Sequence, residues 1–217
     1  MDKTVLFNLT YGLYIVGVMD NPGHPCGCVI NTCFQVTSDN PSVAISLNKN
    51  NYTMEVLRHN PVFSLSIIAE DTDPALIGQF GYHSSKDVDK FGPFGYEVRD
   101  GAPLVGGKFV GRLILNVSQM IDCGTHMLIV AEVTDTVPGE GTPMTYSYYR
   151  NVIKGKAPKN APTYYEETPK EKPEEKGAKH HYRCDICGYV AEFEGEVPED
   201  FTCPICHVDA SHFKQID

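Results

Sequence analysis

The stretch YRCDICGYVAEFEGEVPEDFTCPICHVDASHF, residues 182–213, contains two Cys-x-x-Cys pairs, Cys184 with Cys187 and Cys203 with Cys206. Fifteen residues separate the two pairs. Each pair forms a tight turn, here called a knuckle, and two knuckles bring four thiolates to tetrahedral positions around one metal ion. Structural zinc sites use the same spacing, so the pattern specifies a metal centre but not the metal. We therefore predict the four cysteines as metal ligands.

The residues around these cysteines resemble the rubredoxin family over nearly all of residues 180–217. The matching positions are Tyr182, Gly188, Tyr189, Phe201, Pro204 and Phe213. The resemblance implies one iron held by four cysteine thiolates and a role in electron transfer, against the alternative of a structural zinc ribbon. In the family, Trp often stands at the position of Phe201, and Gly usually stands at that of His207. Because glycine is preferred where φ is positive, we expect His207 to strain the second knuckle.

Length, composition and charge narrow the possible functions. The chain has 217 residues, which suits one medium and one small domain, and its 41% hydrophobic and 21% charged residues are ordinary for a globular protein. A formal net charge of −10 argues against a nucleic-acid partner. The sequence contains no signal-peptide pattern and no run of about 18 apolar residues, so we expect no membrane association and a cytoplasmic location.

A segment rich in Pro, Lys and Glu divides the chain. Residues 154–179 are predicted as a flexible linker, because such a segment cannot bury enough apolar surface to fold. The predicted domains are residues 1–153 and 180–217. The formal charges of the three segments, in chain order, are −6, +2 and −6. The acidic C-terminal module could be steered toward a basic patch on a redox partner, or its charge could serve solubility alone.

The N-terminal domain is predicted as mainly β with a few helices, because short runs of β-branched and aromatic residues alternate with Gly, Pro, Asn and Asp. The runs are YGLYIVGVM, CVINTCFQV, SVAISL, VFSLSII, KFVGRLILNV and THMLIVAEVTDTV. A closed or nearly closed β-barrel is expected. Helix starts are expected in YTMEVLRHN, DPALIGQFG and SSKDVDKF. The G-x-G-x-x-G motif is absent from the sequence, which argues against a Rossmann nucleotide-binding domain.

Three stretches of this domain resemble the flavin reductase family with the FMN-binding split-barrel fold, over about residues 4–153. They are GCVINTCFQVTSDNPSVAISLNKNNYT, IGQFGYHSSKDVDKF and DCGTHMLIVAEV. The resemblance implies FMN as the cofactor, with Asn31, Thr32 and the Cys33 backbone at its ring system. It places the ribityl chain and the phosphate at Ser46, Asn48, Lys49, Asn50 and Thr53.

Further candidates rest partly on the residue types themselves. Lys49 and its polar neighbours before a helix start suit a phosphate, although a capped surface helix has the same pattern. Ser84 and Lys86 form either a second flavin contact or a plain helix cap. His126 corresponds to a family histidine near the flavin and nicotinamide sites and is a candidate catalytic residue, whereas a histidine at a strand start is otherwise usually structural. The remaining cysteines are interpreted as buried small side chains: Cys26, Cys28, Cys33 and Cys123.

The combination of a flavin domain, a linker and a rubredoxin resembles the high-molecular-weight rubredoxins of anaerobic bacteria. A one-electron iron centre needs a donor that takes the electron pair of NAD(P)H and releases single electrons, which a flavin does. The resemblance implies an NAD(P)H-dependent oxidoreductase that reduces its own iron and then a partner, a flavodiiron protein acting on nitric oxide or dioxygen. It also implies a homodimer formed through the flavin domain. Two alternatives stay open: a flavin reductase with a zinc-ribbon interaction module, and a pure electron carrier reduced by another enzyme.

Overall fold

A computed structural model describes residues 3–20, 23–153, 155, 161–163 and 180–216. Within these ranges the prediction of a mainly β fold with few helices is confirmed. The strands are β1 (Tyr14–Met19), β2 (Pro25–Ile30), β3 (Cys33–Thr37), β4 (Ser42–Asn48), β5 (Val62–Ile68), β6 (Tyr96–Arg99), β7 (Ala102–Val105), β8 (Phe109–Cys123), β9 (His126–Pro138), β10 (His180–Cys184), β11 (Val190–Phe193) and β12 (Phe213–Gln215).

The helical elements are short. The α-helices are α1 (Tyr52–Leu57), α2 (Pro74–Tyr82) and α3 (Tyr146–Asn151), and 3₁₀ turns lie at Lys3–Asn8, Gly92–Phe94 and Ala210–His212. The longest described helix, α2, has nine residues. In the described part of the chain, no helix has the length and apolar character needed to cross a bilayer.

Seven strands form one antiparallel sheet in the spatial order β2-β1-β5-β8-β9-β4-β3. Strands β2 and β3 lie at opposite edges of this order, yet only Asn31 and Thr32 separate them in the chain. A flat sheet of seven strands measures about 29 Å across, whereas the chain from Ile30 to Cys33 reaches about 10 Å at most. The sheet must therefore curl until its two edges meet at Asn31 and Thr32, which produces a barrel that is split at this point.

The two faces of the curled sheet build two cores, because successive side chains of a strand point in opposite directions. In β1, Val16 and Val18 point into the barrel, whereas Ile15 points toward the helices α2 and α3. The largest interior side chains are Ile45, Leu47, Met54, Leu57, Phe63 and Leu65. The outer core packs α2 and α3 on the sheet through Ile68, Leu76, Phe80, Phe91, Phe109 and Tyr149.

The split explains one difference from the sequence analysis. CVINTCFQV was predicted as one strand, but the chain leaves the sheet at Asn31 and enters its opposite edge at Cys33.

The β6–β7 hairpin was also missed, although its Asp100–Gly101 turn is a recognised hairpin signal. Both turn residues have positive φ, 50° and 84°. The hairpin covers the barrel by packing Ala102 and Leu104 against Ile114.

Two of the three predicted helix starts form helices. Asn51 caps α1 by accepting the Thr53 N–H at 3.0 Å, and Asp73 caps α2. The predicted helix in SSKDVDKF does not form, and the segment is a turn. The reason is that the buried Lys90 ammonium donates to the carbonyls of Gly27 and Phe80, which draws the chain inward before a helix can propagate.

The C-terminal module is a three-stranded sheet in the order β11-β10-β12 with the two knuckles at one end. Its core contains Tyr182, Phe213 and the ligand cysteines. Phe201, which stands where the family often has Trp, packs edge-on against Phe193 and Phe213 with ring centroids 4.9 and 5.1 Å away. The smaller aromatic ring therefore still links both sides of this core.

Candidate functional site

The two knuckles converge on one point, as the cysteine spacing predicts. The four Sγ atoms of Cys184, Cys187, Cys203 and Cys206 all lie within 4.8 Å of one another. Two of the separations are 3.6 Å, between Cys184 and Cys206, and 3.4 Å, between Cys187 and Cys203. Thiolates at tetrahedral corners about 2.3 Å from an ion are about 3.8 Å apart, so these thiols need only small shifts to hold one. The donor set fits a metal that prefers four soft ligands.

Backbone N–H groups of both knuckles point at the sulfurs. Tyr189 donates its N–H to Cys187, and Val208 donates to Cys206. The hydrogen bond from the Cys187 thiol lowers the pKa of Cys203, and backbone donors from Ile205 and Cys206 add to this effect. Such donors favour the thiolate over the thiol and tune the electronic properties of a bound metal.

The backbones of the two knuckles repeat one pattern, with one exception in residue type. In the first knuckle the Gly188 N–H donates to the Cys184 carbonyl, and in the second the His207 N–H donates to the Cys203 carbonyl, each at 2.9 Å. Both positions have positive φ, 77° at Gly188 and 58° at His207. His207 therefore occupies a left-handed conformation that L-residues avoid, in agreement with the strain expected from the sequence.

A cavity of about 300 Å³ lies next to the barrel split. Its floor comes from β2 and the end of β4, and its walls come from α2, α3 and the loop before α1. The apolar and aromatic lining residues are Leu13, Val29, Ile30, Leu47, Tyr52, Phe80, Tyr82, Tyr146 and Tyr149. Aromatic side chains together with side-chain amides and hydroxyls suit a flavin, which combines a planar ring system with a polar chain. On this chemistry the cavity fits the cofactor expected from the sequence.

Five of the predicted flavin residues line this cavity. They are Asn31, Ser46, Asn48, Asn50 and Ser84. They come from three separate stretches of the chain, which the curled sheet and α2 bring together. The Asn48 carboxamide oxygen accepts the Asn50 N–H at 2.9 Å, so the loop after β4 is held in a defined shape. A ligand in the cavity would meet these side-chain amides and hydroxyls.

Three predicted residues next to the cavity do not line it. Thr32 donates its hydroxyl to the Asn31 side chain at 3.2 Å. Cys33 packs its side chain against the barrel core, and burial raises the pKa of its thiol to about 11. Thr53 is buried beside the Cys28 thiol. The first two border Asn31 at the split, whereas Thr53 belongs to the packing beneath α1.

The two predicted lysines are held in ion pairs at the edge of the cavity. Lys49 contacts the Asp122 carboxylate at 2.5 Å, and this hydrogen bond lowers the pKa of Asp122. Lys86 contacts Glu55 at 3.0 Å and lies 5.0 Å from the centroid of the Tyr52 ring, which lines the cavity. Both pairs are partly exposed to solvent, so an incoming phosphate could compete for either lysine.

His126 does not line the cavity but lies beside a residue that does. It is directly opposite Asn48 in the β4–β9 ladder. Opposite residues of an antiparallel pair have neighbouring side chains on the same face of the sheet. The ring Nδ1 of His126 lies 2.9 Å from the Thr125 hydroxyl. Its catalytic role stays a prediction.

Several cavity residues were not predicted from the sequence. Cys28 was interpreted only as a buried small side chain; it is buried, and it also lines the cavity. The same interpretation was wrong for Cys123, which is exposed at the tip of the β8–β9 hairpin. Tyr82 and Tyr149 join hydroxyls at 2.8 Å across the cavity wall. Tyr82 could have been found from the sequence, because it lies in the stretch IGQFGYHSSKDVDKF that resembles the flavin reductase family. Tyr149 belongs to α3, a helix that the sequence analysis did not predict.

A short described part of the predicted linker lies over the cavity. Ala161 and Pro162 line it, and Thr163 is buried. The Asn31 amide donates to the Thr163 hydroxyl at 2.6 Å. We call residues 161–163 the strap. The rest of the linker prediction, apart from residue 155, lies outside the described residues.

Comparison with known families divides the chain into two matched parts. Residues 6–156 match the flavin reductase like domain. Residues 182–214 match the rubrerythrin, rubredoxin-like domain. The first match covers more than half of the chain and includes the barrel and all cavity-lining residues except Ala161 and Pro162. The second includes all four ligand cysteines.

Two relatives extend these matches. A high molecular weight rubredoxin from Moorella thermoacetica is 38% identical over a 232-residue alignment that covers 100% of both chains. A ferric-chelate reductase (NAD(P)H) from Archaeoglobus fulgidus is 36% identical, covering 76% of this chain and 99% of the relative.

Among solved structures, the FMN-binding protein from Thermus thermophilus is similar in fold. The TM-score is 0.54 at 22% identity, and the match covers 62% of this chain and 75% of that chain. This similarity supports the split-barrel fold of the N-terminal part.

Proposed function

Because this chain belongs to the flavin reductase-like family and to the high-molecular-weight rubredoxins, we propose that it passes electrons from NAD(P)H through FMN to one iron ion. The overall reaction is NAD(P)H + 2 Fe³⁺ → NAD(P)⁺ + H⁺ + 2 Fe²⁺, so the single iron site turns over twice for each nicotinamide. The observation that carries the proposal is that the cavity and the four-cysteine cluster adjoin in one chain. Residues 1–153 serve as the flavin domain, residues 154–179 as the linker and residues 180–217 as the rubredoxin.

The iron ligands are Cys184, Cys187, Cys203 and Cys206. Cys184, Cys187 and Cys203 are buried and Cys206 is half-buried, so this burial and the surrounding aromatic core limit the access of water to the sulfurs. The knuckle N–H groups stabilise negative charge on them. A structural zinc ribbon needs the four thiolates but gains nothing from a nearby flavin cavity. The adjoining cavity therefore favours iron over zinc.

The flavin residues are the ones predicted from the sequence, joined by the aromatic walls of the cavity. When bound, FMN accepts a hydride from NAD(P)H and returns its electrons one at a time. Asn31 and Thr32 at the split supply polar groups to the ring system together with the Cys33 backbone, while Ser46, Asn48 and Asn50 serve the ribityl chain. Lys49, Ser84 and Lys86 complete the phosphate end, whereas Thr53, also predicted there from the sequence, is buried beneath α1 and is not included. His126, opposite Asn48, orients the nicotinamide or holds a proton beside the flavin.

The strap gives a reason to treat FMN as a resident cofactor and not as a released product. The Asn31–Thr163 hydrogen bond closes part of the cavity with residues that follow the flavin domain. A reductase that releases reduced flavin needs an open cavity, whereas an internal electron chain needs the flavin to stay. The strap therefore supports electron transfer within the chain, with NAD(P)H entering on the side away from residues 161–163.

The reduced iron then serves an external acceptor, for which we propose a flavodiiron protein that reduces nitric oxide or dioxygen in the cytoplasm of an anaerobe. The charge of −6 on residues 180–217 suits a basic docking patch on that partner.

We also propose a homodimer through the flavin domain. Phe34 and Val36 on the edge strand β3 are 54% and 48% exposed, and such an apolar edge is usually covered.

The test is an anaerobic visible spectrum of the purified protein before and after one equivalent of NADH, with iron and zinc quantified on the same sample. We expect iron and flavin bands that both bleach. Zinc with a flavin band alone would replace the proposal by a flavin reductase with a zinc-ribbon interaction module. Bleaching only after a separate reductase is added would identify a pure electron carrier.

A further inference from the structure

The second knuckle packs directly against the backbone of α2. The contact is at Gly78, in the middle of this helix, where an added Cβ would lie 1.9 Å from the Ile205 carbonyl oxygen and 2.9 Å from the Cys206 Cα. Both neighbours are backbone atoms, which cannot swing away as the end of a side chain can. Glycine is a poor residue for a helix interior, so its presence here calls for a packing reason. The close approach of the knuckle supplies that reason.

The two knuckles provide an internal comparison, because their isoleucines occupy equivalent positions. Ile186 in the first knuckle is 39% exposed, whereas Ile205 in the second is 2% exposed. The local backbone patterns are the same, so the difference arises from what each knuckle meets outside the module. Ile205 is covered where its knuckle meets Gly78, whereas the tip of the first knuckle at Ile186 stays exposed.

The contact also joins the iron site to the flavin cavity. Tyr82, four residues after Gly78 and so on the same face of α2, packs against the core of the C-terminal module. Tyr82 and Tyr149 both line the cavity, and their hydroxyls are hydrogen-bonded. The Cys187 thiol lies close to both phenols, and Cys203 lies close to Tyr149. One aromatic wall thus separates the thiolates from the cavity.

We propose that Gly78 is a docking notch for the second knuckle, and that the docked state is the one in which the iron receives its electron across the Tyr82–Tyr149 wall. This inference rests on the proposed function. The step moves one electron from the reduced flavin to Fe³⁺, giving Fe²⁺, and NAD(P)H is the source of that electron. Entry occurs at the side of the cluster that faces the two tyrosines, where Cys187 and Cys203 lie. The first knuckle, with Ile186 exposed, is the exit toward the external acceptor and stays accessible while the second is docked.

The experiment compares full-length wild-type protein with Gly78→Ala. Alanine favours the helix but places a methyl group where the Ile205 carbonyl lies, so the variant keeps its fold and loses the docked state. Hydrogen–deuterium exchange reads out docking independently of activity. We expect faster exchange in residues 203–208 and in α2, with residues 184–189 unchanged. Anaerobic stopped-flow mixing with NADH should show flavin reduction at the wild-type rate and iron reduction at least about tenfold slower.

Gln79→Ala is the matched control, because it introduces the same side chain into the same helix on a different face and removes only the exposed hydrogen bond from the Gln79 amide to the Asp89 carbonyl. It should behave as wild type in both measurements. Wild-type exchange and wild-type iron reduction in Gly78→Ala would overturn the docking notch. Failure of NADH to bleach iron in the wild-type protein would instead overturn the proposed function, so the two failures are distinguishable. Loss of ellipticity in Gly78→Ala would move the test to Gly78→Ser, whose fold is checked in the same way, and wild-type behaviour of that variant would equally overturn the notch.

Discussion

Replacing His207 by glycine is expected to stabilise the C-terminal module, although most substitutions beside a metal site do the opposite. His207 has φ 58°, and its counterpart Gly188 has φ 77°. Each donates its N–H to the carbonyl of the first cysteine in its knuckle, and glycine keeps that donor. The His207 side chain is exposed. The substitution therefore removes backbone strain without removing a buried contact or a hydrogen bond.

The size of the effect follows from two opposing contributions. A side chain in the left-handed region costs roughly 1–2 kcal/mol in the folded state. Glycine gives the unfolded chain more freedom, which costs about 0.4–1 kcal/mol. The free energy of unfolding should therefore rise by about 0.5–1 kcal/mol in His207→Gly. Gly188→Ala creates the strain that His207 now carries and should lower the free energy of unfolding by a similar amount.

Denaturant titration of the metal-loaded protein, followed by loss of the metal–thiolate absorbance, measures both changes. Glu199→Gly is the control, because Glu199 is exposed and its φ is not positive, so glycine there should only destabilise. A midpoint for His207→Gly at or below the wild-type value would refute the argument. It would mean that the knuckle tolerates a left-handed histidine without strain.

Three further predictions concern the flavin domain. Burial lowers the pKa of Lys90 below 10.5, so the unfolded chain binds more protons than the folded chain just below that pH. Stability should therefore rise as the pH approaches 10.5, a rise that Lys90→Met should lack in thermal scans. Lys49→Ala should weaken FMN binding at least about tenfold in fluorescence titrations. Lys108→Ala is the control, because it breaks a similar surface ion pair with Asp71 and should leave FMN binding unchanged. Equal effects of the two substitutions would mean that Lys49 does not bind the phosphate. Thr163→Val removes the hydroxyl bonded to Asn31 and should speed FMN dissociation about fivefold, and an unchanged rate would mean that the strap does not retain the cofactor.

The parts predicted correctly from the sequence are those that local patterns determine. The cysteine spacing alone specified the ligand cluster, because each knuckle is closed by hydrogen bonds within a few residues. Alternating apolar runs identified six stretches that contain strands, and two helix starts were predicted correctly, for which the structure has Asn51 and Asp73 as the capping residues. These features depend on neighbours in the chain and on few distant contacts.

The parts that were missed depend on contacts between distant residues. The break of one predicted strand at Asn31 follows from closure of the whole sheet, which no local pattern encodes. Lys49 is paired with Asp122, 73 residues away, so its availability to a phosphate could not be read from its neighbours. SSKDVDKF has a suitable helix start, but Lys90 binds carbonyls of β2 and α2. Tertiary contacts decide these positions over local propensity.

The difference between the two knuckles shows how function can enter a repeated motif. In each knuckle, the residue after the second cysteine has a left-handed backbone conformation. Glycine is favoured at such a position, and of the two knuckles only the first has it. The strained residue His207 follows Cys206 directly, and Cys206 belongs to the knuckle whose backbone reaches Gly78. Strain that persists in a fold tends to lie where the surrounding structure holds it for a purpose. The knuckle without the favoured glycine is thus the one whose backbone meets Gly78, whereas the tip of the first knuckle at Ile186 is exposed.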